Sequence, residues 1–173
     1  MPKSLFAVLL VLVGSVVAFG QNGTEWIKFT APEKYFSLSL PGEPTLEVIT
    51  EPLKHNRFTR YEQGYGFVIE YFENMTASDP EKYLDATRDG IAGAIEGTLE
   101  KETKITLAGH PGRELLFFIP AKSGVGAASR VRIYYGGEKL YSMSFVWRKD
   151  MDPAQATRIG AKYFSSIRIT PVK

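Results

Sequence analysis

The stretch ITLAGHPGRELLFFIP, residues 105–120, decides how the strands of this chain are arranged. Gly109 and Gly112 flank His110 and a proline, and a run of apolar residues follows. Glycine adopts positive φ without strain, and proline fixes its own φ. We therefore predict a tight corner, with both glycines at positive φ, that joins the preceding strand to a strand beginning at Arg113 and carries His110 at its tip.

His110 is the residue in this corner that could take part in catalysis. A general base needs a nucleophile or an orienting partner beside it, and the neighbouring sequence supplies neither. The chain also lacks a Ser-His-Asp order, a glycosidase signature and a nucleotide-binding motif. We therefore predict no catalytic residues and no enzyme activity, and we keep His110 only as a weak candidate for binding.

Outside the corner, the alternation of apolar and polar residues predicts a sheet of about six strands. The predicted strands are residues 36–40, 46–50, 66–73, 113–119, 128–135 and 139–147, together with the strand near 104–107 that precedes the corner and a short final strand near 167–169. The first two should form a hairpin across Pro41 and Gly42, and the polar residues 51–60 should be a solvated connection. The glycine-containing residues 121–130 read as a hairpin loop.

Two helices are predicted from Asp-Pro pairs, at Asp79 and at Asp152, because aspartate caps a helix and proline suits its first turn. The first helix should bury residues at helical spacing, which are Leu84, Ile91, Ile95 and Leu99. Three glycines, Gly90, Gly93 and Gly97, permit close packing of this helix on the sheet. The alternative is that they form a mobile helix edge used in binding.

These elements predict the α+β class. Several strands carry apolar residues on both faces, so the sheet needs cover on both sides. We expect an α/β/α sandwich, with a central and mostly antiparallel sheet of about six strands flanked by helices. No linker or repeat divides the chain, so one domain is expected.

The N-terminus has the pattern of an export signal. A basic start at Lys3 precedes an apolar run from Leu5 to Phe19, and small residues at Ala18 and Gly20 suit a cleavage site. We predict a signal peptide over residues 1–20 and an exported domain over 21–173, periplasmic or secreted, with no later membrane span. Retention by an uncleaved N-terminal anchor is the alternative.

Composition excludes several functional classes. The net charge is +2 and no basic run occurs, which argues against nucleic-acid binding. The absence of cysteine excludes disulfides, thiol nucleophiles and cysteine-zinc sites. The two histidines exclude a three-histidine zinc site within one chain. Glu51 and Glu62 are possible ligands beside His55, but their spacing is not diagnostic, so we predict no metal and no cofactor.

Four charged residues are the main binding candidates: Arg113, Glu114, Arg130 and Arg132. Glu114 and an arginine of the neighbouring strand could form a cross-strand ion pair. The functional alternative is a small-anion site that the three arginines line. Tyr134, Tyr141 and Trp147 form a binding surface if they are exposed, and otherwise belong to the core.

Three stretches resemble the PsbP-like superfamily. They are YFSLSLPGEP at 35–44, LAGHPGREL at 107–115 and AKYFSSIRI at 161–169, and the similar spacing covers nearly all of 26–170. The resemblance, to the bacterial exported members of unknown function, implies an α/β/α sandwich and a role in binding or assembly. No motif carries over the partner-binding residues of any characterised member.

The sequence therefore predicts an exported, non-enzymatic binding or assembly module, monomeric, with a protein or envelope partner. The alternative is an extracytoplasmic protein that binds a small anion or a metal ion. The two differ in whether charged groups converge in one concave pocket.

Overall fold

The structure, a computed structural model, describes residues 25–51, 53–136 and 138–171. Within these residues the chain forms ten strands and two helices: β1 (Ile27–Thr30), β2 (Phe36–Leu40), β3 (Thr45–Ile49), β4 (His55–Glu62), β5 (Tyr65–Phe72), α1 (Pro80–Ala94), β6 (Thr98–Leu107), β7 (His110–Ile119), β8 (Ala127–Gly136), β9 (Lys139–Arg148), α2 (Pro153–Ser166) and β10 (Arg168–Ile169). Neither helix is long and apolar enough to cross a membrane. The predicted signal peptide lies outside the described residues.

Seven strands form the main sheet, in the order β3-β4-β5-β9-β8-β7-β6. Every neighbouring pair is antiparallel, which confirms the α+β class and the mostly antiparallel sheet. Short turns join most neighbours, and residues 120–126 connect β7 to β8 as the predicted hairpin loop.

Relative to the prediction, the seven-stranded sheet lacks β2, contains a longer β6 and gains β4, which occupies residues predicted to be a solvated connection. That prediction was wrong because the polar residues of β4 find partners across the sheet. Arg57 lies opposite Glu70 of β5, and His55 lies opposite Phe72. Cross-strand pairs of this kind stabilise a strand whose own sequence looks hydrophilic.

The prediction that residues 36–40 and 46–50 form a hairpin was also wrong. β2 belongs to a separate three-stranded sheet, in the order β1-β2-β10, whereas β3 pairs with β4. Phe29 of β1 lies opposite Leu38, and the short final strand pairs with β2 through Ile169 and Phe36. The Pro41-Gly42 turn therefore carries the chain from one sheet to the other.

One core lies between the main sheet and a layer made of the three-stranded sheet and α2. Apolar residues from all three parts meet there, including Leu38, Leu40, Phe67, Phe145 and Tyr163. Several are stacked or edge-on aromatic pairs, such as Phe67 and Phe145 with ring centroids 5.4 Å apart. Burial of this aromatic area supplies much of the stabilisation of this face. We call it the α2 face.

The opposite face of the main sheet packs against α1, and we call it the α1 face. Leu84 of the helix is fully buried beside Leu115, Phe117 and Ile133 of the sheet. Helices thus lie on both faces, but the predicted α/β/α layering is incomplete because α2 shares its layer with the three-stranded sheet.

Both helices begin as predicted. The Asp79 carboxylate accepts hydrogen bonds from two backbone N–H groups of the first turn, and Asp152 does the same for α2. The first helix ends at Ala94, so Leu99 lies in β6 rather than in the helix. The predicted close packing of the helix glycines is wrong for Gly93, because a Cβ atom placed there would have no other atom within 4 Å.

Candidate functional site

The β6–β7 corner has the predicted tight turn with a different distribution of positive φ. Ala108 has φ 52° and Gly109 has φ 85°, so these two residues form the turn. Gly112 instead lies within β7, where a Cβ atom would collide with the Ile133 carbonyl oxygen and the Tyr134 ring. Positive φ was predicted for Gly112. Glycine is needed there instead because the two strands approach each other closely.

His110 is not at an exposed tip, which corrects the prediction. It is the first residue of β7 and is 3% exposed. Its Nε2–H donates to the Thr170 carbonyl oxygen at 2.8 Å, and its ring meets Tyr141 edge-on. A Cβ atom at Gly136 would collide with the imidazole. His110 therefore connects β7 to the segment after β10, and its burial leaves it out of reach of a ligand.

Glu114 and Arg132 form the cross-strand ion pair that the sequence allowed. The two residues are opposite each other on β7 and β8, and Arg132 Nε donates to Glu114 Oε2 at 2.7 Å. The guanidinium also lies 4.7 Å from the centre of the Phe164 ring and donates to the Phe164 carbonyl oxygen. These contacts fix α2 against the sheet and engage Nε and Nη1 of Arg132.

Arg113 lies on the α1 face, across the sheet from Arg130 and Arg132. Its side chain is 3% exposed and contacts three carboxylates, from α1 and β6. They are Glu81 at 2.6 Å, Glu102 at 2.9 Å and Asp85 at 3.3 Å. The three arginines therefore do not converge, and the carboxylates already neutralise Arg113. We call these four residues the Arg113 cluster.

The charge of the Arg113 cluster changes the titration of Glu81. Hydrogen bonds from Arg113 and Lys104 lower the pKa of the Glu81 carboxyl to about 2. The same contacts raise the pKa of Arg113, although burial acts against that change. Glu81 and Arg113 are therefore both charged at neutral pH, and the cluster holds the start of α1 against β6 and β7.

Arg130, unlike Arg113 and Arg132, has no carboxylate partner among the described residues. It is half-buried on the α2 face of β8, two residues before Arg132. Its neighbours across the two adjacent strands are Leu116 and Phe145, which offer no side-chain acceptor. Within residues 25–51, 53–136 and 138–171 it forms no ion pair. It lines a cavity of about 250 Å³ with Phe145, Trp147, Lys149, Met151, Pro153, Ala156 and Thr157.

The predicted aromatic surface is mostly core. Tyr134 and Tyr141 are each 2% exposed and belong to the core of the α2 face. Trp147 is half-buried, stacks on Phe145 with ring centroids 5.0 Å apart, and reaches the cavity. Of the three rings, only Trp147 is placed to meet a ligand.

His55 lies in a strand and not in the predicted solvated loop. Its Nδ1–H donates to the Leu53 carbonyl oxygen at 2.8 Å, and its ring stacks on Phe72. The nearest carboxylate is that of Glu70, 3.4 Å from Nε2, instead of Glu51 or Glu62. Burial alone would raise the pKa of Glu70, but hydrogen bonds from His55 and Arg57 and the arginine charge lower it. The described residues hold no cluster of three potential metal ligands.

One edge of the main sheet, β3, exposes apolar side chains. Leu46 is 49% exposed and Val48 is 53% exposed, and both lie on the α2 face of this edge strand. Glu47 points to the other face, where its carboxylate is 3.6 Å from Arg57. Among the described strands, β3 pairs only with β4, so one side of its backbone has no strand partner.

The other edge, β6, carries charged side chains along its length, from Glu100 to Lys104. Its pairing with β7 is interrupted by a register shift between Leu99 and Lys101. Charges and bulges of this kind discourage the addition of another strand. The two edges of one sheet therefore differ in their capacity to bind.

Two solvent-facing features, Lys149 and the pair Leu46 and Val48, were not predicted from the sequence. Lys149 drew no attention because it follows the last predicted strand, although alternation from Phe145 and Trp147 places it on the same side. Leu46 and Val48 were assigned to a hairpin, which would have covered them. Their alternation with Glu47 was visible, but whether β3 lies at an edge depends on strand order.

The sequence matches no protein-family model and no curated protein. Solved structures do match. The Ran-binding protein Mog1p of Saccharomyces cerevisiae has a TM-score of 0.56 at 8% identity, over 86% of this chain and 97% of that one. Cyanobacterial PsbP of Synechocystis sp. PCC 6803 has a TM-score of 0.56 at 11% identity, over 91% and 98%.

A third match is LpqN of Mycobacterium tuberculosis, described as involved in cell envelope biogenesis. Its TM-score is 0.50 at 12% identity, over 85% of this chain and 91% of that one. At such low identity, the likeness concerns the fold and not the residues that act. The chain therefore has the fold that Mog1p and cyanobacterial PsbP share, and the resemblance to the PsbP-like superfamily is confirmed at the level of the fold.

Proposed function

We propose that this chain is an exported, non-enzymatic binding module that receives an extended strand of a partner protein on the edge of β3. The observation that carries the proposal is the exposure of Leu46 and Val48 beside an edge with no strand partner in the described residues. Addition of a strand to such an edge is a common mode of peptide recognition. Backbone hydrogen bonds supply affinity, and alternate side chains supply specificity.

The chemistry of β3 specifies the partner strand. Apolar side chains should lie opposite Leu46 and Val48, where they would remove exposed apolar surface from water. A basic side chain should lie between them, opposite Glu47, because oppositely charged cross-strand pairs are favourable. The proposed partner therefore contains an extended apolar-basic-apolar segment.

A second copy of this chain fits the β3 edge less well. In an antiparallel pair of β3 strands, the register that places Leu46 opposite Val48 of the other copy also places the two Glu47 residues opposite each other. Like charges in that position are destabilising. We therefore propose a monomer that binds a different protein.

Two further observations support a binding role. The histidines donate to backbone carbonyl groups, His110 to Thr170 and His55 to Leu53, which are structural contacts. Two proteins of the same fold are described as a Ran-binding protein and as a protein of cell envelope biogenesis. The leader-like residues 1–20 support export, and Gln21 is the proposed N-terminal residue of the exported protein.

The test uses the protein purified after export, whose N-terminal residue is identified first, and a synthetic ten-residue peptide with a Val-Lys-Val centre. Fluorescence anisotropy measures its affinity. We expect saturable binding that weakens at least about tenfold, or about 1.4 kcal/mol, in the double variant Leu46→Lys/Val48→Lys. A peptide with Glu in place of the central Lys should bind about threefold more weakly.

The matched control places the same two charges on the other edge, as Thr103→Lys/Thr106→Lys. Both threonines are exposed on β6. This control should bind the peptide within twofold of the unchanged protein. Equal losses in the two double variants, or no saturable binding by the unchanged protein, would contradict the proposal.

A further inference from the structure

The cavity beside Arg130 lies away from the β3 edge, on the α2 face of β8 and β9. Its volume is about 250 Å³. A cavity of about 150 Å³ can hold benzene, so this one has room for a single ring with a small substituent. The strand residues that line it come from the end of β9 and from β8, and the helix residues come from the first turns of α2.

The presence of Arg130 indicates that this cavity is a ligand site rather than a gap in the packing. A guanidinium carries five N–H donors and no acceptor, so an arginine with no acceptor from its own chain donates to water or to a ligand. Arg132, on the same strand face, meets Glu114 and the Phe164 carbonyl oxygen. Arg130 has Leu116 and Phe145 as its cross-strand neighbours and no carboxylate among the described residues. A hydrogen-bond acceptor on a bound ligand would give the N–H groups of Arg130 a partner.

A second cation and an aromatic wall stand beside Arg130. Lys149 also lines the cavity, and its Nζ lies 5.4 Å from the centre of the Phe118 ring, with no ion-pair partner in the described part of the chain. Trp147 stacks on Phe145 with an interplanar angle of 18°, which holds the indole of this wall in one orientation. A flat apolar group can pack against such a wall.

The start of α2 contributes little to this charge. The Asp152 carboxylate already accepts hydrogen bonds from the N–H groups of Ala154 and Gln155. Arg148, the other nearby arginine, is paired with Asp150 at 2.6 Å. The side chains of Arg130 and Lys149 are therefore the groups that are free to bind an anion here.

We propose that this cavity binds a small aromatic anion, a carboxylate or a phosphate monoester of one ring. The acidic group accepts hydrogen bonds from Arg130 and attracts Lys149, and the ring packs on Trp147. Arginine suits carboxylate and phosphate because its planar donors match their oxygens in pairs. The site uses neither Leu46 nor Val48 and stands independently of the proposed strand-binding function.

Phenyl phosphate, benzoate, inorganic phosphate and benzylammonium are the probes. Isothermal titration calorimetry of the exported protein gives affinities, and the indole N–H resonance of Trp147 reports the location. We expect phenyl phosphate or benzoate to bind and to shift that resonance. Inorganic phosphate should bind at least about tenfold more weakly, because it lacks the ring, and benzylammonium should not bind. Equal binding of inorganic phosphate or of benzylammonium would overturn the proposal.

Single substitutions test which residues bind the acidic group of the ligand. Arg130→Gln should weaken the aromatic anion about tenfold or more, and Lys149→Gln should weaken it less, because Lys149 is exposed. Arg158→Gln is the matched control, since it removes one exposed positive charge from α2 without touching the cavity. Thermal unfolding of each variant confirms that it is folded. Unchanged binding by a folded Arg130→Gln variant, or equal loss in Arg158→Gln, would contradict the proposal.

Discussion

The two edges of the main sheet differ in how well they are protected. We call the β6 end closed, because charged side chains protect it, and the β3 end open, because it exposes apolar side chains. At the β6 end, Glu102 takes part in the Arg113 cluster, and Lys104 pairs with Glu81 of α1 at 2.7 Å. At the β3 end, Leu46 and Val48 remain exposed. Charge protects one edge, whereas the other edge presents apolar side chains.

This difference distinguishes charged residues that stabilise the fold from exposed residues that are available for binding. An arginine that meets three carboxylates of its own chain stabilises the fold and has little capacity left for a ligand. Exposed apolar residues on a strand edge are a liability that natural proteins usually avoid. Their presence at β3, beside a well-protected β6, is what makes β3 the better candidate for function.

The largest loss of stability is expected from a substitution at the closed end. Arg113→Met keeps most of the side-chain volume but removes the cation that three carboxylates share. We expect a loss of about 2–3 kcal/mol in the free energy of unfolding, since a buried charged partner is removed. Urea denaturation at neutral pH measures it.

Lys104→Met is the control for Arg113→Met because both residues contact Glu81. The Lys104 side chain is 75% exposed, so its ion pair should contribute less than about 1 kcal/mol. If the Arg113 and Lys104 variants lost equal stability, the Arg113 cluster would not be the structure that holds α1 against this end of the sheet.

A smaller effect is expected from pH at the same end. The pKa of Glu81 in the folded protein, about 2, lies below its ordinary value of 4.5. A group with a lowered folded pKa stabilises the fold above its unfolded pKa, and this contribution is lost as pH falls through the folded value. Glu81→Gln should therefore be less stable than the unchanged protein at pH 7, and the gap should narrow between pH 4.5 and 2.

Urea denaturation at pH 7 and at pH 2.5 measures that gap. Glu100→Gln, at an exposed position of β6 with no ion-pair partner in the described ranges, should change stability by less than about 0.5 kcal/mol at pH 7. A gap for Glu81→Gln that stays constant with pH would show that its ionisation does not stabilise the closed end.

The parts of the fold that the sequence predicted correctly are set by local interactions. Both helix starts follow from an aspartate cap and a proline, and the β6–β7 turn follows from its glycine. The strand at residues 55–62 was missed because its polar side chains are satisfied by β5, which a local pattern does not reveal. The separation of β2 from β3 depends likewise on pairing between distant segments.

The candidate sites were harder to predict because they depend on register and strand order. Side chains alternate between faces, so whether Arg113 and Arg130 share a face depends on how β7 pairs with β8. The pairing places Leu116 opposite Arg130, and this neighbour is what leaves Arg130 without a partner. The exposure of Leu46 follows from the position of β3 at the end of the sheet order.

Backbone amide hydrogen exchange, with and without the Val-Lys-Val peptide, shows which edge of the sheet receives the peptide, because it reports on both edges in one sample. We expect the peptide to slow exchange at amides among residues 45–49 and to leave exchange at residues 98–107 unchanged. Slower exchange along β6, or no change at β3 when the peptide is bound, would contradict the claim that β3 is the edge that receives a partner strand.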